Sequence, residues 1–229
     1  MEKYLTIDEL ERQSDVLLEK YDKQKNIEYL INIENLFEIY LKENRDANEI
    51  ALRFVIFLFE DLHNDYKAMD ILENIIEKDP NNIKAALIMA YLDFTLMLRH
   101  EDFSLELLYE LKTIDPEELS MIEFVKSLYY SKFGEYQEHE LCLKKSIQYY
   151  DKHVKNNYFL GSFFIDVGRK YEGKKLIEKA LINIQLIYIY LAKRKTTIST
   201  PEKFIDEHIK GIHLTEPNVE AIENELKRV

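Results

Sequence analysis

The side chains best suited to chemistry do not occur at the spacings that known reactions require. The six histidines form no His-x-x-x-His or His-Glu-x-x-His pair, which would place two ring nitrogens on one helical face for zinc. The single cysteine, Cys142, lies between Leu141 and Leu143 and is expected to be a small buried hydrophobe. The sequence contains no Gly-rich phosphate loop and no Gly-x-Ser-x-Gly elbow. It therefore predicts a protein that is not an enzyme and has no metal or cofactor.

Composition favours helices. Only five glycines and four prolines occur among 229 residues, too few for the turns of a β-sandwich or barrel. The hydrophobic share of 46% is enough for a folded core. The N-terminus has no apolar run, and the most apolar stretch, residues 181–192, is shorter than the roughly 20 residues that span a membrane. We therefore expect a cytoplasmic all-α protein that does not enter a membrane.

The charge distribution separates two kinds of partner. The formal net charge of −12 disfavours nucleic acid, because binding to phosphates requires a basic surface. Residues 152–195 are the exception, with ten basic and three acidic side chains. This segment is either the solvated faces of two helices or a basic patch that binds nucleic acid or a small ligand.

A turn signal recurs along the chain with a spacing of 36 residues. Asp79-Pro80 and Asp115-Pro116 each follow an apolar helical stripe. Proline cannot continue a helix, and the polar residues beside it suit the start of the next one. Short polar turns divide each period into two helices of about 14 residues, a pair too small to bury its apolar face alone. Successive pairs must therefore stack as a helical solenoid.

The residues of the fourth pair resemble the tetratricopeptide repeat (TPR) family. Leu160, Gly161 and Phe164 match the core and close-approach positions of the family's first helix, and Ser127 precedes Gly161 by 34 residues. Asn157 departs from the pattern, because tryptophan is usual at its position. The resemblance implies an α-solenoid of antiparallel helix pairs, forming a TPR-like superhelix.

The same pattern predicts three regions. Residues 48–182 are expected to form four TPR-like helix pairs, and residues 1–47 a helical pair that caps the N-terminal end. Residues 183–229 are expected to extend the last helix and to add two short capping helices, with residues 193–199 as a linker. The sequence leaves open whether these last helices fold back into the groove and block it.

In the resembled family the first helix of each pair lines a concave groove, and this implies which residues contact a partner. The implied partner-binding residues are Met89, Asp93, Met97, Met121, Phe124, Leu128, Lys132, Lys155, Tyr158, Ser162, Ile165 and Asp166. This groove is apolar and aromatic in its middle and acidic at its N-terminal end. The Lys, Asn and Arg set with which the family clamps a C-terminal carboxylate is absent from the matching positions.

These features favour a non-enzymatic interaction module that binds a protein or peptide in the groove, a basic partner included. A more specific alternative is an immunity protein that neutralises a basic toxin. The other alternative is a regulator that binds nucleic acid or a small ligand through residues 152–195. Salt dependence would separate these hypotheses, because affinity for nucleic acid falls steeply with added salt.

Overall fold

The computed structural model describes residues 5–96, 101–191, 199–211 and 219–228, and the side chains of those residues except 101–102 and 185–191. Within these ranges the regular structure is helical, without strands, so the predicted all-α class is confirmed. The chain divides into two compact units. The first comprises Met1–Pro80 with Lys195–Lys203, and the second Asn81–Arg194 with Phe204–Val229.

The helices follow one another along the chain. Helices of the first unit are α1 (Ile7–Gln24), α2 (Glu28–Glu43), α3 (Asn48–Phe57), which continues as a π-helical turn (Leu58–Leu62), and α4 (Asp65–Lys78). The second unit contains α5 (Ile83–Leu96), α6 (Glu101–Glu110), α7 (Pro116–Phe133), α8 (Tyr136–Tyr149), α9 (Val154–Asp166) and α10 (Lys170–Leu191). The short α11 (Pro201–Phe204) then runs into a second π-helical turn (Ile205–Ile209), and α12 (Val219–Leu226) ends the series. The predicted linker at residues 193–199 lies outside the described residues except for Ser199.

Local capping explains where the helices begin and end. The Asp115 carboxylate accepts hydrogen bonds from the backbone N–H groups of Glu117 and Glu118, and Pro116 occupies the first helical position of α7. Gly134 ends the same helix with a left-handed backbone (φ 76°) that disfavours larger residues. The Asn64 side chain likewise accepts from the N–H of Lys67 at the start of α4. The turn signals read from the sequence are therefore true helix boundaries.

An aromatic cluster holds α2 against α3 in the first unit. The Phe37 ring stacks on Phe54 with centroids 5.1 Å apart and on Phe57 at 6.0 Å. All three side chains are buried, and each such burial contributes about 1.5–3 kcal/mol. The Lys67 ammonium of α4 also forms an ion pair with the Glu34 carboxylate of α2, at 2.6 Å.

In the second unit each helix from α5 to α10 packs against the next one along the chain. Helices α9 and α10 approach most closely where two glycines face each other. A Cβ atom placed on Gly173 would lie 2.6 Å from the carbonyl oxygen of Gly161, and one on Gly161 would lie 2.7 Å from Ile177. The repeat pattern predicts Gly161 at such a close approach, and the structure shows it.

None of the helices in the described part of the chain is both long enough and apolar enough to cross a lipid bilayer.

Candidate interaction groove of the second unit

Helices α5 and α7, the first helices of two neighbouring pairs, are buried over most of their circumference. Buried runs cover residues 85–90 and 92–93 of α5 and residues 120–129 of α7. A helix that lines an open groove would keep one face accessible, whereas a helix apolar and buried all round is covered on every side. Besides its helical neighbours, each of these two helices contacts the π-helical turn Ile205–Ile209.

Residues Phe204–Gly211, hereafter the docked segment, lie against the groove face of the second unit. The Phe204 ring meets the Tyr91 ring of α5 edge-on at 6.0 Å, and the Tyr91 and His208 rings are 5.6 Å apart. The side chains of Phe204, Ile205 and Ile209 are buried. The sequence left open whether the C-terminal region folds back onto the groove positions, and these contacts place the docked segment against Tyr91 of α5.

The docked segment also binds the N-terminus of α9 through its backbone. The Lys210 carbonyl oxygen accepts hydrogen bonds from the N–H groups of Val154 (2.9 Å) and Lys155 (3.1 Å). These N–H groups lie in the first turn of α9, where no carbonyl of the helix itself can accept from them. The Lys155 ammonium donates to the carbonyl of His208. The segment thus caps α9 and adds a charged contact.

Gly211 allows this close approach. Its φ is +93°, a conformation that side chains rarely adopt, and an added Cβ would lie 2.6 Å from Lys155 Cγ and 2.8 Å from Lys155 N. Backbone atoms cannot move aside as the end of a flexible side chain can. The segment therefore docks only with glycine at this position.

An ion cluster fixes the charged end of the segment. The Lys210 ammonium pairs with the Glu117 carboxylate and lies 3.1 Å from Asp206. His153 Nε2 is 3.5 Å from the same Glu117 oxygen. His153 and Lys210 together lower the pKa of Glu117 to about 2, while burial lowers the pKa of His153. Glu117 is therefore an anion at neutral pH beside a mostly uncharged imidazole.

The last helix, α12, covers the other end of the groove face. Ser162 Oγ of α9 donates to the Glu225 carboxylate at 2.9 Å, and Asp166 pairs with Arg228 at 2.6 Å. Ile222 of α12 joins a buried cluster that includes Ile165. Three predicted groove positions of the fourth pair, Ser162, Ile165 and Asp166, therefore contact α12 or the residues just after it.

The structure separates the predicted partner-binding residues into two groups. Seven of them are buried, at most 8% exposed: Met89, Asp93, Met121, Phe124, Leu128, Lys155 and Ile165. Lys132 and Asp166 are exposed, Tyr158 and Ser162 are partly exposed, and Met97 lies outside the described residues. Met89 and Phe124, two of the predicted contacts, have almost no exposed surface in this structure. Whether the set contacts a partner remains a prediction.

A buried polar network that sequence reasoning missed supports the groove beneath the docked segment. Asn156 Nδ2 donates to Ser146 Oγ (3.2 Å) and to the Tyr150 carbonyl (3.0 Å). Asn157 Nδ2 donates to the carbonyls of Asp151 (2.8 Å) and His153 (2.7 Å). The one sequence signal for this network is the asparagine that replaces the usual tryptophan. It fixes the loop that presents His153 and the α9 N-terminus.

Part of the groove face stays open beside the docked segment as a pocket of about 510 Å³. Its walls combine aromatic and aliphatic groups with a few polar ones: Tyr91, Phe94, Thr95, Leu128, Ser131, Lys132, His139 and Phe159. Leu128 and Lys132 belong to the predicted set, whereas the aromatic walls and His139 do not. His139 Nδ1 donates to the Ser127 carbonyl at 2.8 Å, and burial lowers the pKa of His139. The pocket is therefore largely apolar, and the Lys132 ammonium is the charged group among its walls.

Two basic side chains of the segment 152–195 pair with acidic groups. Lys179 pairs with Asp151, and Arg169 bridges Glu140 (2.7 Å) and Glu172 (2.6 Å). These contacts neutralise part of the segment's positive charge, and binding of nucleic acid or a small ligand through it stays a prediction. Cys142 is buried, and burial together with the Glu123 carboxylate raises the pKa of its thiol to about 12. It therefore remains a thiol and not a nucleophilic thiolate.

Comparison with known proteins identifies the fold. No protein-family model and no curated protein matches the sequence. A MamA double mutant (RS-1 ArsTM) superimposes with a TM-score of 0.55 at 10% identity, over 79% of this chain and 97% of that one. A thermophilic TPR protein of Thermus thermophilus gives 0.53 at 18% identity, over 78% and 97%. A crystal structure of MamA gives 0.52 at 19% identity, over 76% and 96%. With its stacked antiparallel helix pairs, the chain has the fold of the tetratricopeptide-repeat solenoids.

Proposed function

We propose that the chain is a non-enzymatic protein-interaction module whose second unit binds a segment of a partner protein. The observation that carries this proposal is the open pocket beside the docked segment. Its volume of about 510 Å³ accepts a large apolar side chain, and its walls come from α5, α7, α8 and α9. The adjoining surface already holds a peptide stretch of the chain itself, so its shape suits a peptide.

The pocket supplies binding energy and orientation in the usual way. Burying one large apolar side chain of a partner against Phe94, Leu128 and Phe159 contributes about 1.5–3 kcal/mol. Aromatic walls of this kind are frequent at the energetic centres of protein interfaces. Thr95 and Ser131 are exposed on the lining; the Thr95 hydroxyl donates to the Tyr91 carbonyl at 2.8 Å and can accept from the partner's backbone, and Ser131 offers a second hydroxyl. We expect an apolar anchor residue flanked by polar backbone contacts.

A peptide library displayed on phage tests this function. Peptides selected on the wild-type protein should share one large apolar residue and bind at least ten-fold more weakly to the Thr95→Arg and Ser131→Arg variants, which fill the pocket. Gln148→Arg adds the same charge at an exposed site on α8 and serves as the control. Selected peptides that bind all four proteins equally would show that the pocket is not the binding site.

A further inference from the structure

We infer that the docked segment stands in for the partner, so the groove takes a short helical peptide with the same chemistry and the two compete for one surface. This inference rests on the proposed function. The peptide would carry an aromatic residue followed by an aliphatic one, as in Phe204-Ile205. A second aliphatic residue, lysine and glycine would follow, as in Ile209-Lys210-Gly211. Phe204, Lys210 and Gly211 make specific contacts with the second unit, and Ile205 and Ile209 are buried.

The backbone contacts define how such a peptide ends. The carbonyl before the glycine caps α9 through the N–H groups of Val154 and Lys155, and the Lys155 ammonium binds a second carbonyl at His208. Helix N-termini attract partial negative charge, so carbonyl groups are suitable ligands here. The 2.8 Å approach of an added Cβ on Gly211 to Lys155 N requires glycine at this position of the peptide.

The charges define the basic residue. Glu117 on α7 is the acidic group that the groove itself provides for Lys210, and the Lys210 side chain is only 19% exposed. Asp206 belongs to the segment and would be supplied by the peptide, four residues before the lysine. His153 and Tyr150, whose rings lie 4.8 Å apart, are further titratable groups at this point, and protonation of His153 would place a second cation beside the lysine. A basic partner fits this end of the groove, and an acidic one does not.

The apolar contacts explain how a partner could displace the segment. Tyr91 touches Phe204 and His208 of the docked segment and also lines the open pocket. The segment itself leaves the pocket unfilled. A peptide that reproduces the segment and also inserts a side chain into the pocket gains contacts that the internal copy lacks. That difference in contacts is what allows competition.

The first step of the experiment is to release the segment. Gly211→Ala places a methyl group against Lys155 and should undock it. Gly168→Ala is the matched control, because Gly168 also has a positive φ (+86°) but no atom within 4 Å of an added Cβ. Hydrogen exchange of the Val154 and Lys155 amides reports docking directly, since the Lys210 carbonyl is their acceptor. Exchange should accelerate at least ten-fold in Gly211→Ala and stay near wild type in Gly168→Ala.

The second step adds a fluorescent peptide with the sequence of residues 201–211 to each full-length protein. We expect it to bind Gly211→Ala at least ten-fold more tightly than wild type or Gly168→Ala, because a tethered segment competes at high effective concentration. Lys210→Glu, which opposes Glu117, provides a second released protein should Gly211→Ala fail to fold. The same gain in affinity is expected for it.

Two results would overturn the inference. The first is that wild type and the released variants bind the peptide equally well. The second is that the released variants do not bind it although hydrogen exchange of the Val154 and Lys155 amides shows that the segment has undocked. In either case, the proposed pocket function would still be supported if the phage-selected peptides bind more weakly to the Thr95→Arg variant. The opposite combination is also informative. If the 201–211 peptide binds the released variants as expected but the phage-selected peptides do not depend on Thr95, the inference is supported and the pocket function is contradicted.

Discussion

The ion pair between Glu117 and Lys210 should contribute measurably to docking of the C-terminal segment. Glu117 has a folded pKa of about 2 against an ordinary value of 4.5. A shift of that size corresponds to about 3 kcal/mol in total. The Glu117 side chain is 37% exposed, so screening by solvent should reduce the coupling to about 1–2 kcal/mol.

A double-mutant cycle measures this coupling. The free energy of unfolding would be determined in urea for wild type, Glu117→Gln, Lys210→Met and the double variant at pH 7. Each single variant should also accelerate exchange of the Val154 and Lys155 amides five- to thirty-fold, about what 1–2 kcal/mol implies. Asp151→Asn, which breaks the more exposed pair with Lys179, serves as the control and should change stability by less than about 0.5 kcal/mol.

The pH dependence of the coupling has a definite sign. The folded pKa of Glu117 is lowered, so its contribution is fully present above pH 4.5 and is lost as the pH falls from 4.5 to about 2. A coupling energy below about 0.3 kcal/mol at pH 7, or one unchanged at pH 2.5, would refute the contribution of Lys210, beside that of His153, to the lowered pKa of Glu117.

Three further predictions concern groups outside the docked segment. Gly173→Ala should lower stability by about 1–2 kcal/mol although alanine favours helices, because its Cβ would meet the Gly161 carbonyl at 2.6 Å; a rise in the melting temperature would contradict this close packing. Burial and the carboxylates of Glu60 and Asp22 raise the pKa of Asp61 to about 6, so its contribution to stability is present below pH 3.8 and is lost as the pH rises through 6. Asp61→Asn should therefore stabilise the protein at pH 7 by about 1–3 kcal/mol but not at pH 3.5, and a pH-independent difference would exclude this cause. Native Cys142 should react with a thiol reagent at pH 8 at least a hundred-fold more slowly than in urea, and equally fast labelling would show that the thiol is accessible.

Local signals account for the parts of the fold that the sequence predicts well. Asp115-Pro116 marks the start of α7 because an aspartate cap and a proline at the first helical position act within one turn of chain. Gly161 marks the α9–α10 crossing because that position in the repeat contacts the neighbouring helix. Such features depend on residues close in sequence or on a fixed repeat spacing, so a single sequence is sufficient to read them.

Departures from the repeat pattern depend on tertiary partners, and the sequence does not name those partners. Lys126 replaces a usual leucine, and its ammonium lies 2.9 Å from Glu123 and over the Tyr109 ring at 4.0 Å. Asn157 replaces a usual tryptophan and donates to two carbonyls of the preceding loop. Burial of a charge or an amide is tolerated only when such partners are in place. A match to the repeat pattern therefore shows that a residue has been replaced, but it does not show which partners make its burial tolerable.

The accessibility of the groove could not be predicted because its occupant comes from a distant, non-repeating part of the chain. The repeat pattern assigns groove residues by their position in the first helix of each pair, and Lys155 of that set contacts the docked segment. Whether the groove face is open depends on residues about 50 positions further along, such as Lys210 and Gly211. Loops and short helices outside a repeat carry no periodic signal that would place them.

The docked segment has a thermodynamic consequence for any partner. If the docked state of the segment is more stable than the undocked state by about 2 kcal/mol, the groove is open in roughly 3% of molecules. The apparent affinity of a competing peptide is then about thirty-fold weaker. The peptide recovers that loss only through contacts that the segment lacks, and the open pocket beside Tyr91 provides them. One large apolar side chain there contributes about 1.5–3 kcal/mol, which is of the same size as the loss. The groove of the wild-type protein therefore favours peptides that also reach the pocket over those that merely reproduce the segment.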